Sequence, residues 1–446
     1  MQRKAAVFLI LAVCQMAVAS AEPYDSSAPL VRSASPVPGE YLVVMKKGGS
    51  DRGASIRADV SALNAATISD SRGAVDYLLV KGTEAQMRLL SRNPNVVAIE
   101  ENGWYGIQPS PRPTLPDPSP STPASLWYLD QIDGTNDNYY SYCSDGTDVV
   151  VYVVDGGIKP SPEFGSRLKK PAAYKTAMQN LNAGGPGAPV AWPGAECYDG
   201  DAGLNFASYG HGTAVASIVG GTNFGVASDV TLVDIRILRC DGLNTTGAVV
   251  GALNWIYNDT TYSGKQRIVN MSFANIGDRY ASVDPSYYGF SSVNEAVRAL
   301  AVDKNMIPVA AAGNDDSNSF YYSPVSADYC IGAGASTAAK TEWSHSNYGS
   351  RVDFYAPGQH VEALGLNQGL HSLAANCYST DYPNDGCTSG TSFAAPIISG
   401  IVARFLEGQS PYSGTWLDVV QFLTNQSSVQ IQSQSPRPLV QMVDCF

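Results

Sequence analysis

The stretch Val149-Val150-Val151-Tyr152-Val153-Val154-Asp155-Gly156-Gly157 decides the fold. An unbroken run of β-branched and aromatic residues, with no polar alternation, reads as a strand covered on both faces. The run stops at an aspartate and two glycines, so Asp155 sits at the carboxyl end of a strand, the edge where open α/β sheets carry their sites. Downstream, strands and helices alternate: strands at Val230 to Leu238, Arg267 to Ala274, from Ile307 toward Asn314 and at Cys330 to Ala335, with helices at Thr246 to Tyr257, Ser291 to Lys304 and after Ser392. Right-handed crossovers between such strands gather their carboxyl ends on one edge. The expected fold class is α/β: a mainly parallel sheet with helices on both faces, preceded by a small α+β unit.

At Ser389-Gly390-Thr391-Ser392-Phe393-Ala394-Ala395-Pro396 a small-residue turn delivers one serine to the start of an apolar helix through Ala403. A hydroxyl there lies beside unpaired backbone N–H groups, which can stabilise an oxyanion. An isolated Gly-Thr-Ser is more often a helix cap, so the reading depends on partners. A serine nucleophile needs a general base and a group that orients the base. Of the four histidines, His211 lies in Tyr209-Gly210-His211-Gly212-Thr213-Ala214-Val215-Ala216-Ser217, where glycines clear space and a short apolar helix follows. His345, His360 and His371 lie in polar, loop-like sequence that suits the solvated surface. Asp155 offers the carboxylate, and Ile307-Pro308-Val309-Ala310-Ala311-Ala312-Gly313-Asn314 reads as a strand running into a loop that ends in an amide.

The order Asp155, His211, Ser392, each in its own glycine-rich motif, resembles the subtilisin-like serine proteases, most closely their proteinase K-like branch. The resemblance spans roughly Trp127 to Gly408. It implies a serine endopeptidase in which Ser392 is the nucleophile, His211 the base, Asp155 the orienting group and Asn314 the side chain that completes the oxyanion hole. It also implies a groove that takes extended protein or peptide substrates along Gly242-Leu243-Asn244 and Ser272-Phe273-Ala274, with Ala311-Ala312-Gly313 at the back of the primary pocket. Four positions depart from the family pattern: Gly156 stands where Thr or Ser is usual, Phe393 where Met is usual, and Ser217 and Ala274 where Gly is usual. The methyl of Ala274 shifts side-chain discrimination by about 1 to 3 kcal/mol. No cofactor is implied for catalysis. A structural calcium is implied at Asp353 with the carbonyls of Ala327 and Tyr329, oxygen ligands of the kind calcium takes; apart from the resemblance, Asp353 reads as a solvated loop aspartate.

Residues 1–21 carry Arg3 and Lys4, a short apolar core and small residues at Ala17 to Ala21, the form of a signal peptide cut after Ala19 or Ala21. Residues 22–106 offer strands at Gly39 to Met45, Val75 to Val80 and Asn95 to Glu100 around a helix from Thr83 to Ser91. Their position resembles the family's propeptide, which acts as an intramolecular inhibitor. Residues 107–124 are dense in proline and serine and read as an exposed linker, leaving 125–446 as the peptidase domain. The expected product is a secreted, extracellular monomer.

Seven of the eight cysteines lie beyond the signal segment, an odd number that allows at most three internal disulfides and leaves one thiol over. Cys377 with Cys387, and Cys197 with Cys240, are plausible pairs; the rest stay open. A net charge of −12 argues against nucleic acid and anionic membranes as partners. Asn244, Asn258, Asn270 and Asn425 begin glycosylation sequons, that of Asn270 within a buried strand and so idle. Two other functions fit less well. A secreted peptide-binding protein of the same fold has only the motif departures in its favour, and an α/β-hydrolase esterase needs a second glycine that Gly390-Thr391-Ser392-Phe393-Ala394 lacks.

Overall fold

In the computed structural model, the Val149 run is an interior strand of a seven-stranded parallel sheet. The structure describes residues 27–48, 50–107, 126–134, 140–182, 210–238, 243–275, 291–364, 387–407, 409, 414–431, 433 and 436–442. The signal segment, nearly all of the Pro/Ser linker, Gly242 and His371 lie outside these residues, as do the side chains of both suggested cysteine pairs.

The amino-terminal elements are β1 (Leu30–Val31), β2 (Pro36–Met45), α1 (Ser50–Ala62), β3 (Ala66–Ser71), β4 (Tyr77–Lys81), α2 (Glu84–Leu90) and β5 (Val96–Gly106). The larger part follows with α3 (Trp127–Ile132), β6 (Val149–Asp155), β7 (Leu168–Lys169), α4 (Ala172–Asn182), α5 (His211–Gly220), β8 (Thr231–Arg236), β9 (Leu243–Thr245), α6 (Thr246–Asn258), β10 (Gln266–Met271) and β11 (Ala274–Asn275). It ends with α7 (Ser292–Lys304), β12 (Ile307–Ala311), β13 (Ile331–Ser336), β14 (Phe354–Pro357), β15 (Val361–Glu362), β16 (Cys387–Thr388), α8 (Thr391–Leu406) and α9 (Trp416–Gln426).

The parallel sheet runs in the order β14-β13-β12-β10-β6-β8-β7. Period-2 geometry divides β6 between two cores. Val149, Val151 and Val153 pack with α5 and α8, while Val150, Tyr152 and Val154 pack with α6 and α7. That explains why the run has no polar alternation: both faces are covered. One expected strand, Arg267 to Ala274, is two. β10 stops at Met271, Ser272 turns its hydroxyl toward α8, and β11 joins another ladder, antiparallel to β5.

In the amino-terminal unit the sheet order is β1-β5-β2-β4-β3. The helix expected from Thr83 starts with a capping box between Thr83 and Gln86. Helix α1 and strand β3 are additional; α1 buries little beyond Ile56 and Val60, too faint a stripe for periodicity to reveal. The other face of this sheet, with Leu42, Val44, Tyr77 and Leu79, shares one core with α6 and α7.

Strand β5 also caps both helices. Thr245 gives α6 no side-chain cap; instead the Gly247 N–H donates to Asn102 Oδ1 at 3.0 Å. The Ser292 N–H at the start of α7 donates to Glu100 Oε2 at 2.9 Å. Burial raises the Glu100 carboxyl from the ordinary 4.5 to about 7, against the opposing hydrogen bonds from Ser292. A group whose docked pKa exceeds its free value holds the units together best when protonated. Its contribution is whole below about 4.5 and is lost as the pH climbs through about 7. The first melting transition of the full chain is therefore expected to fall between about pH 5 and pH 9, and Glu100→Gln to flatten that fall. An unchanged slope in the variant would assign the dependence to another group.

Candidate active site

Three strand ends and two helix starts converge at the carboxyl edge of the parallel sheet. Asp155, the last residue of β6, is fully buried, and His211 is the first residue of α5, entered through Gly210 at φ 76°. His211 Nδ1 lies 2.9 Å from Asp155 Oδ1 and 3.0 Å from Oδ2. An ionised carboxylate only accepts, so Nδ1 carries the proton and Nε2 presents its lone pair. Nε2 is buried and meets no hydrogen-bond partner among the described residues.

Two departures from the family pattern find their reasons here. Gly156, where a hydroxyl is usual, donates its backbone N–H to Asp155 Oδ1 at 2.6 Å, so the carboxylate is still held from behind. Ser217 takes the Leu364 N–H at 2.9 Å and donates to the Ala214 carbonyl, tying α5 to the segment after β15. Phe393 lies beside the imidazole, ring centroids 5.4 Å apart. Gly212 permits the approach of α5 to the Asp155 loop: a Cβ there would come within 2.5 Å of the Gly157 carbonyl.

Ser392 is the second residue of α8 and is almost wholly buried. The cap reading of this serine fails: Gly390 occupies the cap position and no side chain caps the helix. Ser392 Oγ donates to the Ser272 carbonyl at 3.1 Å. Beside it, Asn314 Oδ1 accepts from both the backbone N–H and the hydroxyl of Thr391, at 2.9 and 2.8 Å. An amide N–H can only donate, so the oxygen faces Thr391 and the Asn314 NH₂ is turned away from it. The Gly313 N–H donates to the same Thr391 hydroxyl at 3.0 Å.

The suggested groove segments are paired with the end of the amino-terminal unit. The end of β5 lies antiparallel between β9 and β11: Trp104 pairs with Thr245, Tyr105 with Asn244, and Gly106 with both Leu243 and Ala274. Tyr105 packs edge-on against Phe273, centroids 6.3 Å apart. Ala311 and Ala312 are buried at the end of β12 and Gly313 turns at φ 105°. Asn244 is buried and its amide bonds the Ile237 carbonyl, so its sequon has no room for a glycan. Asn270 is buried as expected, whereas Asn258 and Asn425 are exposed.

Asp353 is not a solvated loop residue. With Ala327, Tyr329 and Trp416 it lines a cavity of about 290 Å³, and its Oδ2 accepts the Gly332 N–H at 2.8 Å. Burial raises its carboxyl to about 6. No cluster of three His, Cys, Asp or Glu side chains suited to a metal occurs among the described residues, so a cation here would need backbone carbonyls. Cys330, at the same cavity, is a buried free thiol.

A family model described as the Subtilase family matches residues 146–438. An extracellular serine proteinase of Thermus sp. (strain Rt41A) is 28% identical over 442 residues, covering 91% of this chain and 90% of the relative. An alkaline proteinase of Hapsidospora chrysogena is 28% identical over 404 residues, covering 86% and 87%. Among solved structures, a cold-adapted subtilisin-like serine proteinase superposes with a TM-score of 0.53 at 26% identity, over 72% of this chain and 100% of that one.

Proposed function

From the premise that this chain belongs to the subtilase family and is a serine endopeptidase acting on protein substrates, we propose that it is secreted as a zymogen and works through an acyl-enzyme on Ser392. Ser392 Oγ bonds to the carbonyl carbon of the peptide while its proton passes to His211 Nε2. The C–N bond then breaks and that proton goes to the leaving amine; water repeats the sequence to free the acid. Asp155 keeps the proton on Nδ1 and stabilises the imidazolium. The observation that carries this reading is the Asp155 to His211 Nδ1 contact of 2.9 Å, with a buried Nε2 that meets no hydrogen-bond partner among the described residues. For transfer, Ser392 Oγ must leave the Ser272 carbonyl and present its proton to Nε2.

Asn314 serves the oxyanion. Its oxygen accepts from Thr391, so the NH₂ is the end of the amide that would donate to an oxyanion, the Ser392 N–H at the start of α8 being the second donor. Residues 22–106 act as the inhibitor. The pairing of Trp104 to Gly106 with β9 and β11 supports this, because an extended substrate would use the same ladders. The signal reading of residues 1–21, with the extracellular Thermus relative, supports secretion.

Calcium at the Asp353 cavity is part of the same proposal. A half-buried carboxyl with a raised pKa is one that a divalent cation would hold ionised, the Ala327 and Tyr329 carbonyls supplying further oxygens. Such an ion acts on stability. A melting temperature of the mature enzyme that falls on chelation and recovers with calcium is expected; indifference to both would remove it.

The whole reading is tested by secreting the full chain and following peptide hydrolysis, intact mass and fluorophosphonate labelling. Loss of the amino-terminal unit followed by labelling at Ser392 is expected. A folded protein lacking that unit, yet inert to both label and peptide, would overturn it.

A further inference from the structure

Helix α8 contains Pro396, which has no N–H and cannot donate to the carbonyl four residues back, that of Ser392. A buried carbonyl stripped of its helical donor needs another. The Ser272 hydroxyl supplies it, donating to the Ser392 carbonyl at 2.9 Å. The polarity of this bond is fixed from behind. Asn270 Nδ2 donates to Ser272 Oγ at 3.0 Å, and Ser399 Oγ donates to Asn270 Oδ1 at 3.0 Å. A hydroxyl has one proton; with an N–H donor on its lone pair, Ser272 commits that proton to Ser392. Asn270, Ser272 and Ser399 are all fully buried.

We propose that Ser272, oriented by Asn270 and Ser399, is a positioning residue for the nucleophile: its hydroxyl replaces the helical hydrogen bond that Pro396 removes and sets the first turn of α8. The inference rests on Ser392 being the nucleophile. Ser272 follows directly on β10, the middle strand of the seven, and so ties the nucleophile to the core of the sheet. Its carbonyl also accepts from Ser392 Oγ, so one residue holds both the backbone and the side chain of Ser392. Small displacements there are expensive, since a misplacement of about 1 Å can cost about 100-fold in rate.

The test compares Ser272→Ala, Ser272→Thr, Pro396→Ala and the double variant Ser272→Ala with Pro396→Ala. Turnover is expressed per site titrated with fluorophosphonate, so misfolded protein drops out. Ser272→Ala is expected to lower kcat by roughly 10- to 100-fold with KM nearly unchanged, the scale of one buried polar group left unsatisfied. Ser272→Thr keeps the hydroxyl and restores the rate. In the double variant the new N–H of residue 396 can reach the Ser392 carbonyl, and most of the loss is recovered. If kcat per titrated site in Ser272→Ala stays within about twofold of the unmodified enzyme, the proposal is overturned. Where Ser272→Ala yields no folded protein, Ser399→Ala, two bonds further back, is expected to lower kcat several-fold; no change there overturns it equally. An unmodified protein without label or turnover sinks the peptidase reading itself, and this inference with it.

Discussion

Ser392→Ala is expected to lower peptide hydrolysis by about six orders of magnitude and to leave the amino-terminal unit attached, the scale of loss known for subtilisin, a member of this family. Without Oγ there is no acyl-enzyme, and the proton that His211 would take no longer exists. What survives is binding and oxyanion stabilisation, about 10³ to 10⁴ over water. Asn314→Ala, which spares the nucleophile, is expected to fall between, losing about 10² to 10³ in kcat. Intact mass, labelling and hydrolysis read the three proteins together. A Ser392→Ala protein that still took the fluorophosphonate would place the nucleophile at another residue.

Asp155→Asn comes next in size, with kcat expected to drop by about 10⁴. The reason lies in Gly156. Its N–H donates to Asp155 Oδ1 at 2.6 Å, so the oxygen of an asparagine would be drawn to that position. The NH₂ would then sit where Oδ2 now lies, 3.0 Å from His211 Nδ1, and the only acceptor left to Nδ1, Oδ1 at 2.9 Å, is already taken by the shorter bond from Gly156. Two donors cannot face each other, so the imidazole proton would move to Nε2 and the base would be lost although the geometry hardly changes. The check is kcat at neutral pH with protein shown folded by its melting curve. A loss under about tenfold would mean that Asp155 does not set the tautomer.

Much of this was legible in the sequence because the signals were local. The Val149 run announced a strand covered on both faces, and the glycines around Asp155, His211 and Ser392 marked where chain and side chains approach closely. What escaped were features defined by partners far away in the chain. The end of β5, Asn102-Gly103-Trp104-Tyr105-Gly106, has no pattern of its own; its role comes from β9 and β11, more than a hundred positions on. The break at Ser272 was hidden because Arg267 to Ala274 looks like one continuous strand, and only the need of Ser392 for a donor explains it. Pro396 was a readable clue to that need. Helix α1 was missed for want of apolar period, and Asn244 passed as a glycan site because a sequon carries no information about burial.

The single strand β5 is both a core strand of the amino-terminal sheet and the rung between β9 and β11. Cutting the chain beyond it breaks no hydrogen bond in either ladder. On the zymogen reading, the first cut therefore yields a tight complex of two fragments, and free enzyme appears only when the smaller one escapes and is digested. Each freed molecule destroys inhibitor belonging to others. Activity in a fresh secretion should then rise after a lag that shortens with protein concentration and vanishes when a trace of mature enzyme is added.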